Sequence, residues 1–295
     1  MVCCENTMRY RFLAFPGGKQ KAVTFSYDDG VTQDIRLADM FDKYGVKGTF
    51  NINSGRLGLS EDIRPTLTAD QIREHILAKG HEVALHGANH VATALASPTL
   101  CIGEIYECRK ELERVFDTFV RGMAYADSGV KIFANGNNYE TVKNILTYSG
   151  VAYSRTTSGD NDRFELPQEL YAWIPTAHHN NPSLFDWIDK FNSIGYDTVR
   201  AKLNKPALMY IWGHSYEFDD KNNWERMEEI LDKLSGKGDV WYATNIEIVD
   251  YMNAYSLLRF NTEETKVYNP TATTVWFVAD FKTYKVEPGE TIKIG

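Results

Sequence analysis

The feature that most constrains the fold is a regular alternation of short apolar segments with amphipathic helical segments. Residues 21–29 are predicted to form a strand that ends in two acidic residues, residues 32–44 follow with apolar side chains at helical spacing, and Gly45 supplies a helix stop. About seven or eight such β/α units fill about 255 residues, which favours parallel strands closed into a barrel. An open, doubly wound sheet remains the alternative on this pattern alone.

The other units follow from the same periodicities, with helix caps and glycine stops as boundaries. Thr68 and Gln71 form a capping-box pair, and Ser97 followed by Pro98 is a favourable helix start. The predicted strands cover residues 47–53, 81–87, 121–126, 151–157, 171–177, 206–212 and 240–245. The predicted helices cover residues 68–80, 97–117, 138–148, 183–203, 222–235 and 246–258.

The pattern changes towards the C-terminus. Residues 267–295 lack a helical period and contain a Pro288-Gly289 turn, which predicts about two to four β-strands. We therefore divide the chain into a barrel, residues 1–258, and a small β appendage, residues 259–295. The appendage is expected to cover one end of the barrel, with carbohydrate binding as the alternative role.

Composition excludes several classes of function. The formal net charge of −8 argues against a nucleic acid as the main partner. Four cysteines in 295 residues do not make a disulfide scaffold. The sequence has neither an apolar run of about 18 residues nor the basic-then-apolar start of a signal peptide. We therefore expect no membrane span and a cytoplasmic location.

Polar side chains follow two of the predicted strands, where parallel α/β folds place their active sites. Asp28 and Asp29 end the first strand, and His86 and His90 follow the strand at 81–87. Two imidazoles and one carboxylate with open positions suit Zn²⁺ or a similar ion acting as a hydrolytic Lewis acid. Non-haem Fe(II) oxygenases use the same ligand set on a β-helix, which the helix-rich alternation contradicts.

A third histidine, His214, follows the strand at 206–212. We expect it to lie at the same edge of the sheet as the other two histidines, where it would be a further metal ligand or a general acid with a pKa near its ordinary value.

These motifs resemble the polysaccharide deacetylases, which are carbohydrate esterase family 4 with its NodB-homology domain, over about residues 20–250. The family's first motif matches residues 24–30, its second matches residues 86–90, and its fifth matches Trp212 and His214. The resemblance implies a distorted (β/α)7-type barrel.

The resemblance also implies roles for the two strand-end carboxylates. It makes Asp28 the catalytic base and Asp29 a metal ligand, beside His86 and His90. Zinc is the expected ion, and cobalt, nickel and manganese also fit these ligands.

The sequence departs from the family pattern in three motifs. The fourth motif, an Asp-rich segment with a tryptophan, has no clean match near its expected place. Gly87 stands where the second motif usually has Ser or Thr. The third motif keeps Tyr125 but lacks the family's proline and adjacent arginine, and Ala126 is the residue whose backbone N–H would face the oxyanion. We expect Arg155 to replace the missing arginine beside the base. Alternatively, Arg155 binds a substrate carboxylate or lies on the surface.

Aromatic and imidazole side chains near strand ends are candidates for sugar contacts. Neighbouring residues of an extended chain point to opposite sides, so at most one of two adjacent histidines is expected to face the pocket. The two tryptophans also fit a core position. The candidates are Tyr27, Trp173, His178, His179 and Trp212.

Together these residues predict a metal-dependent hydrolase that removes an acetyl group from an N-acetylated sugar or polysaccharide. Asp28 takes the proton of the attacking water, His214 protonates the leaving amine, and Tyr125 and Arg155 complete the catalytic set. An O-acetyl esterase, a small-amide hydrolase and a non-catalytic carbohydrate-binding relative are the alternatives.

Overall fold

The structure, a computed structural model, describes residues 10–60, 63–157 and 162–295. The strands are β1 Arg11–Ala14, β2 Lys21–Asp28, β3 Gly48–Ile52, β4 Glu82–Leu85, β5 Gly122–Ala124, β6 Tyr153–Arg155, β7 Ala177–His178, β8 Ala207–Gly213, β9 Val240–Tyr242, β10 Arg259–Phe260, β11 Lys266–Tyr268, β12 Val275–Ala279, β13 Lys282–Val286 and β14 Thr291–Lys293. The α-helices are α1 Asp34–Tyr44, α2 Ala69–His75, α3 Pro98–Phe116, α4 Tyr139–Tyr148, α5 Leu184–Asn192, α6 Tyr216–Asp220, α7 Trp224–Leu234 and α8 Asn245–Ser256.

A parallel sheet forms the centre of the molecule. Its strands run in the order β6-β5-β4-β3-β2-β8-β7, and β9 pairs with β2 beside this path. The sheet curls because the chain before β7 returns to β6: the N–H of Trp173 donates to the carbonyl of Ser154 at 3.0 Å, and the N–H of Thr156 donates to the carbonyl of Trp173 at 2.9 Å. The predicted (β/α)7-type barrel is confirmed.

Helices cover the outside of the sheet. In α1, Leu37, Ala38 and Phe41 are fully buried against the sheet, as the helical spacing predicts. Helix α3 begins at Pro98 with Ser97 as its cap. Within the part of the chain that the structure describes, none of the helices has the length and hydropathy that a membrane crossing needs.

The inside of the barrel is polar. Glu82 at the start of β4 accepts hydrogen bonds from the hydroxyls of Thr49 and Tyr153, both at 2.8 Å, and from the N–H of Ile246 at 2.9 Å. Gly122 of β5 leaves the space that this cluster fills, because a Cβ there would lie 2.2 Å from the Tyr153 hydroxyl. Strand alternation therefore sends apolar side chains outward under the helices and polar ones inward.

Two predicted elements are wrong in extent. The helix predicted at 183–203 ends at Asn192, because Asp197 turns the chain by accepting from the N–H groups of Val199 and Arg200 at 2.8 and 2.6 Å. Of the strand predicted at 171–177, only Ala177 lies in β7. Its first residues belong to a 3₁₀ helix, Leu170–Ala172, and Pro175 has no N–H to donate to a ladder.

The C-terminal segment forms two small antiparallel sheets, β1-β12-β13 and β10-β11-β14. The N-terminal strand β1 therefore joins the appendage, with Ala14 opposite Trp276. The hydroxyl of Tyr251 in α8 donates to the carbonyl of Ala14 at 2.8 Å and accepts from the N–H of Trp276 at 2.9 Å. One side chain of the barrel's last helix thus ties both strands together. The division at residue 258 stays a prediction.

Candidate active site

The two histidines of the HxxxH motif and one strand-end carboxylate meet at the carboxyl ends of the strands. Oδ1 of Asp29 lies 3.5 Å from Nε2 of His86 and 3.3 Å from Nε2 of His90. All three donor atoms lie within 4.8 Å of one another. The structure therefore brings together the three side chains that the sequence selects as metal ligands.

The backbone around this group is held in uncommon conformations. Asp29 and His90 both have positive φ, 80° and 61°. Such values are rare outside glycine and occur where the surroundings impose them. Nδ1 of His86 lies 2.9 Å from the carbonyl of Ala124, which places the ring proton there and leaves the Nε2 lone pair facing Asp29.

The donor set fits a divalent metal ion. Among the described residues, Oδ1 of Asp29 is buried and has no hydrogen-bond partner. A buried, unpartnered carboxylate oxygen is costly unless something binds it. One carboxylate and two neutral imidazoles are also the usual protein ligands of an open, catalytic zinc site.

Asp28 points the other way, into the barrel. Its Oδ2 accepts from the Arg155 guanidinium, and its Oδ1 accepts from Nδ2 of Asn51 at 2.8 Å. Burial raises the pKa of Asp28, but the charges of Arg155, His86 and His214 outweigh burial and hold it below its ordinary value. The carboxylate is therefore ionised at neutral pH and able to accept a proton.

Arg155 at the end of β6 is fully buried, so the alternative of a surface position is wrong. Its guanidinium carbon lies 4.4 Å from the ring centre of Trp212. The arginine beside the base thus comes from β6, in agreement with the substitution that the sequence suggests.

Opposite Asp28 stands His214, whose Nε2 is 4.0 Å from Oδ2 of Asp28. Its Nδ1 lies 2.8 Å from Oε1 of Glu217 in α6. Burial lowers the pKa of His214, but the hydrogen bond to Glu217 and the carboxylates of Asp28 and Asp29 raise it above the ordinary histidine value. The arrangement can hold a proton on Nε2, facing the site.

The sequence analysis missed Glu217. The residue also accepts from Nε2 of His178 at 3.1 Å and from Nδ2 of Asn180 at 2.6 Å. Burial raises the pKa of Glu217, and the bonds from His178, His179 and His214 hold it well below its ordinary range. The available signal was the three-residue spacing from His214, which places both side chains on one face of a helical turn.

The donor atoms of His178, His214 and Glu217 also lie within 4.8 Å of one another. However, the N–H of Asn180 donates to Nδ1 of His178 at 3.1 Å, so the proton of neutral His178 is on Nε2, towards Glu217. This is the pattern of a hydrogen-bonded cluster.

Two candidate sugar contacts, Tyr27 of β2 and His179 after β7, are wrong because both are fully buried. Tyr27 is fully buried, and its ring stacks on that of His179 at 5.6 Å. His179 is also fully buried, with Phe218 on it at 4.3 Å. Because alternate residues of β2 face opposite sides, Tyr27 lies under the helices while Asp28 lies in the barrel.

Trp173 is also misassigned as a sugar contact. It is 2% exposed and packs edge-to-face against Tyr153 and Tyr210, at 5.5 and 4.9 Å. It therefore belongs to the core of the barrel. His178 and Trp212 are only partly buried, their rings are 4.8 Å apart, and both lie beside His214.

Tyr125 does not reach the reacting groups. It is fully buried, and its hydroxyl donates to the carbonyl of Tyr171 at 2.8 Å. Its N–H donates to the carbonyl of Arg155 at 2.9 Å. Burial raises the pKa of Tyr125, so the phenol stays neutral. A direct catalytic role for its side chain is therefore wrong, and Ala126 remains the candidate backbone donor.

The fold is a (β/α)7-type barrel with a cluster of metal-ligand side chains at the carboxyl ends of its strands. Residues 16–145 match the model of the polysaccharide deacetylase family. This stretch contains Asp28, Asp29, His86 and His90, and its match confirms the resemblance of the motifs.

Two solved structures with TM-scores above 0.5 agree on the fold. Puue allantoinase is 12% identical with a TM-score of 0.55, over 80% of this chain and 91% of that one. A candidate polysaccharide deacetylase from Mycobacterium smegmatis is 15% identical with a TM-score of 0.52, over 85% and 96%. A deacetylase of Streptococcus pyogenes, solved with acetate, is 22% identical with a TM-score of 0.39, and the match spans 45% of this chain and only 54% of that one. No curated protein matches the sequence.

Proposed function

We propose that the protein is a metal-dependent deacetylase that hydrolyses the acetamide of an N-acetylated sugar or polysaccharide. The observation that carries this proposal is that Asp29, His86 and His90 form a metal donor set, while Asp28, next to Asp29 in the chain, lies 4.0 Å from His214. The family match over residues 16–145 supports the choice of an acetyl group.

Asp29, His86 and His90 would hold the ion, with zinc expected and cobalt, nickel or manganese also compatible. A bound divalent ion supplies Lewis acidity, which polarises the acetyl carbonyl and lowers the pKa of a water molecule towards about 7. Asp28 accepts the proton of the attacking water. Arg155 keeps the Asp28 carboxylate ionised.

His214 acts from the opposite side as the general acid. Its Nε2 proton goes to the leaving amine, while Glu217 holds the proton on Nδ1 and fixes the ring. The backbone N–H of Ala126 is the proposed donor to the tetrahedral oxyanion. The products are acetate and a free amino sugar.

The substrate is proposed to lie across His178 and Trp212. Both rings are partly exposed beside His214, and aromatic faces suit the apolar faces of sugar rings. This choice replaces the wider set of aromatic contacts that the sequence suggests.

The first test is metal stoichiometry by plasma mass spectrometry on protein purified without chelator. We expect about one divalent ion per chain in the wild type, in His75→Ala and in Asp28→Asn, and loss of the ion in His86→Ala. His75 is the matched control because it lies in α2, away from the site. A wild type that stays empty after zinc is supplied would remove the metal assignment.

Acetate release then tests the reaction. N-acetylated chito-oligosaccharides and an O-acetylated xylan are assayed side by side, and Asp28→Asn is expected to lower the rate by about 10²–10⁴-fold. Full activity of Asp28→Asn would overturn the base assignment. Acetate release from the O-acetylated xylan alone would identify the protein as an esterase and not an amidase. If the metal-loaded protein released acetate from neither substrate, a non-catalytic carbohydrate-binding protein would be favoured.

A further inference from the structure

We propose that Glu104 of α3 is a positioning residue for the metal site, which holds the loop of residues 86–90 in the shape that aims both histidines at one ion. This inference rests on the proposed function, because it concerns the same donor set.

Glu104 makes three hydrogen bonds to two consecutive loop residues. Its Oε2 accepts from the backbone N–H of Asn89 at 2.8 Å, and its Oε1 accepts from Nδ2 of Asn89 at 2.7 Å. Its backbone carbonyl accepts from the N–H of Ala88 at 3.1 Å. Glu104 is only 3% exposed, so its buried carboxylate depends on these partners for its hydrogen bonds.

The neighbouring glycine leaves the space that the carboxylate occupies. Gly87 has φ of 81°, and a Cβ there would lie 3.1 Å from Oε2 of Glu104. A serine or threonine, which the second motif usually has here, would be both strained and crowded. Glycine at position 87 therefore makes room for the buried carboxylate of Glu104, which a serine or threonine side chain would displace.

The residue after the clamped asparagine is the ligand His90, whose φ is 61°. A non-glycine residue keeps such a conformation only where its surroundings fix the chain on either side. Glu104 fixes Asn89 through both its backbone and its side chain. Without the carboxylate, we expect the loop to relax and Nε2 of His90 to move away from Asp29.

The opposite side of the loop is held by complementary donors. Nδ2 of Asn53 donates to the carbonyls of His86 and Gly87 at 2.6 and 3.1 Å. The amide of Asn53 thus binds two carbonyls of the loop, and the carboxylate of Glu104 binds the N–H and the side-chain amide of Asn89. Mutating a residue that holds a metal ligand in place typically lowers metal affinity by about 10–100-fold.

The test is zinc affinity of the metal-free protein, measured by competition with a chromophoric chelator. In Glu104→Gln, one oxygen becomes an NH2 group that faces an Asn89 donor. We expect the Kd for zinc to rise about 10–100-fold while the melting temperature of the metal-free protein stays close to wild type. Glu107→Gln is the matched control, because it removes the same charge from an exposed position of α3 and should bind zinc as the wild type does.

Asn89→Ala gives a second measurement that does not depend on the fold tolerating a change at Glu104, because Asn89 is exposed. It removes the side-chain bond and should weaken zinc binding several-fold. Equal affinity of the wild type, Glu104→Gln and Asn89→Ala would overturn this inference and leave the proposed function intact. A wild type that binds no zinc would instead overturn the proposed function as well.

Discussion

At the scale of single residues, the proposed acid depends on a carboxylate that touches no substrate. Glu217 bonds to Nδ1 of His214, and its charge is one cause of the raised pKa of that histidine. Because a general acid must be protonated, activity should fall as the pH rises through the pKa of His214.

Glu217→Gln keeps the shape and removes the charge. The pKa of His214 should fall, so the alkaline limb of kcat/KM against pH should move to lower pH, and the rate at pH 8 should drop by about tenfold or more. The measurement is the pH profile of acetate release by metal-loaded protein. An alkaline limb at the wild-type position would show that Glu217 does not set the proton affinity of His214.

A second carboxyl links the barrel interior to stability. Burial raises the pKa of Glu82 to about 7, although the hydrogen bonds from Ile246, Tyr153 and Thr49 oppose the rise. The folded-state pKa is thus above that of the unfolded chain. The stabilisation is complete below the ordinary carboxyl pKa and is lost as the pH rises from about 4.5 to about 7.

In Glu82→Gln the side chain is uncharged at every pH, so the variant should not lose stability as this carboxyl group ionises. Between pH 5 and pH 8, the melting temperature of the wild type relative to the variant should fall by roughly 5–10 °C, equivalent to about 3 kcal/mol. Thermal melts of both proteins across this range test the expectation. A difference that does not vary with pH would mean that Glu82 titrates normally.

At the scale of elements, β5 illustrates how one glycine permits a polar contact between strands. A Cβ on Gly122 would lie 2.2 Å from the Tyr153 hydroxyl and 2.4 Å from Oε1 of Glu82. Gly122→Ala should therefore separate this pair and cost about 1–3 kcal/mol in urea unfolding.

The same substitution at Gly103 provides the control. Gly103 lies inside α3 with open space around its Cα, so alanine there should stabilise the protein by about 0.5–1 kcal/mol. A loss of unfolding free energy in Gly122→Ala and a gain in Gly103→Ala would support the steric argument. A neutral Gly122→Ala would show that the interior cluster shifts without cost.

Elements with local signals are well predicted from the sequence. The capping box of Thr68 and Gln71 and the Ser97 cap both occur in the structure, because caps depend on residues within one turn. The helix predicted at 183–203 fails, because the turn made by Asp197 competes with helical periodicity.

The site is predictable only where a motif is local. His86 and His90 follow from a strand end and a four-residue spacing, whereas the choice of Asp29 and not Asp28 as the third ligand comes from the family resemblance. The contact of Arg155 with Asp28 joins residues 127 positions apart. It was suggested only because the family's third motif has an arginine that this sequence lacks at that position. Glu104 and Glu217 carry no motif, because their roles arise from side chains that meet in space.

At the scale of the whole molecule, the two ends of the chain share one sheet. Strand β1 pairs with β12 over residues 11–14, and Tyr251 of α8 bonds to both. A chain cut after residue 258 would leave β1 as an unpaired edge and would uncover the apolar face of α8. We expect such a protein to melt several degrees lower and to aggregate, while its zinc site persists.

Size-exclusion chromatography, thermal melting and zinc stoichiometry of the truncated protein measure this effect. A truncated protein that stays monomeric and melts as the full chain does would show that the appendage is an independent unit.

The pairing of β1 with β12 also sets an order of events during synthesis. A ribosome that adds about 5–20 residues per second needs roughly 13–50 s to make the approximately 265 residues between these strands. Throughout that interval β1 has emerged without its partner, and its backbone groups are open to other chains or to chaperones. The pairing of β1 with β12 therefore waits for translation of residues 275–279, even where the barrel has already collapsed.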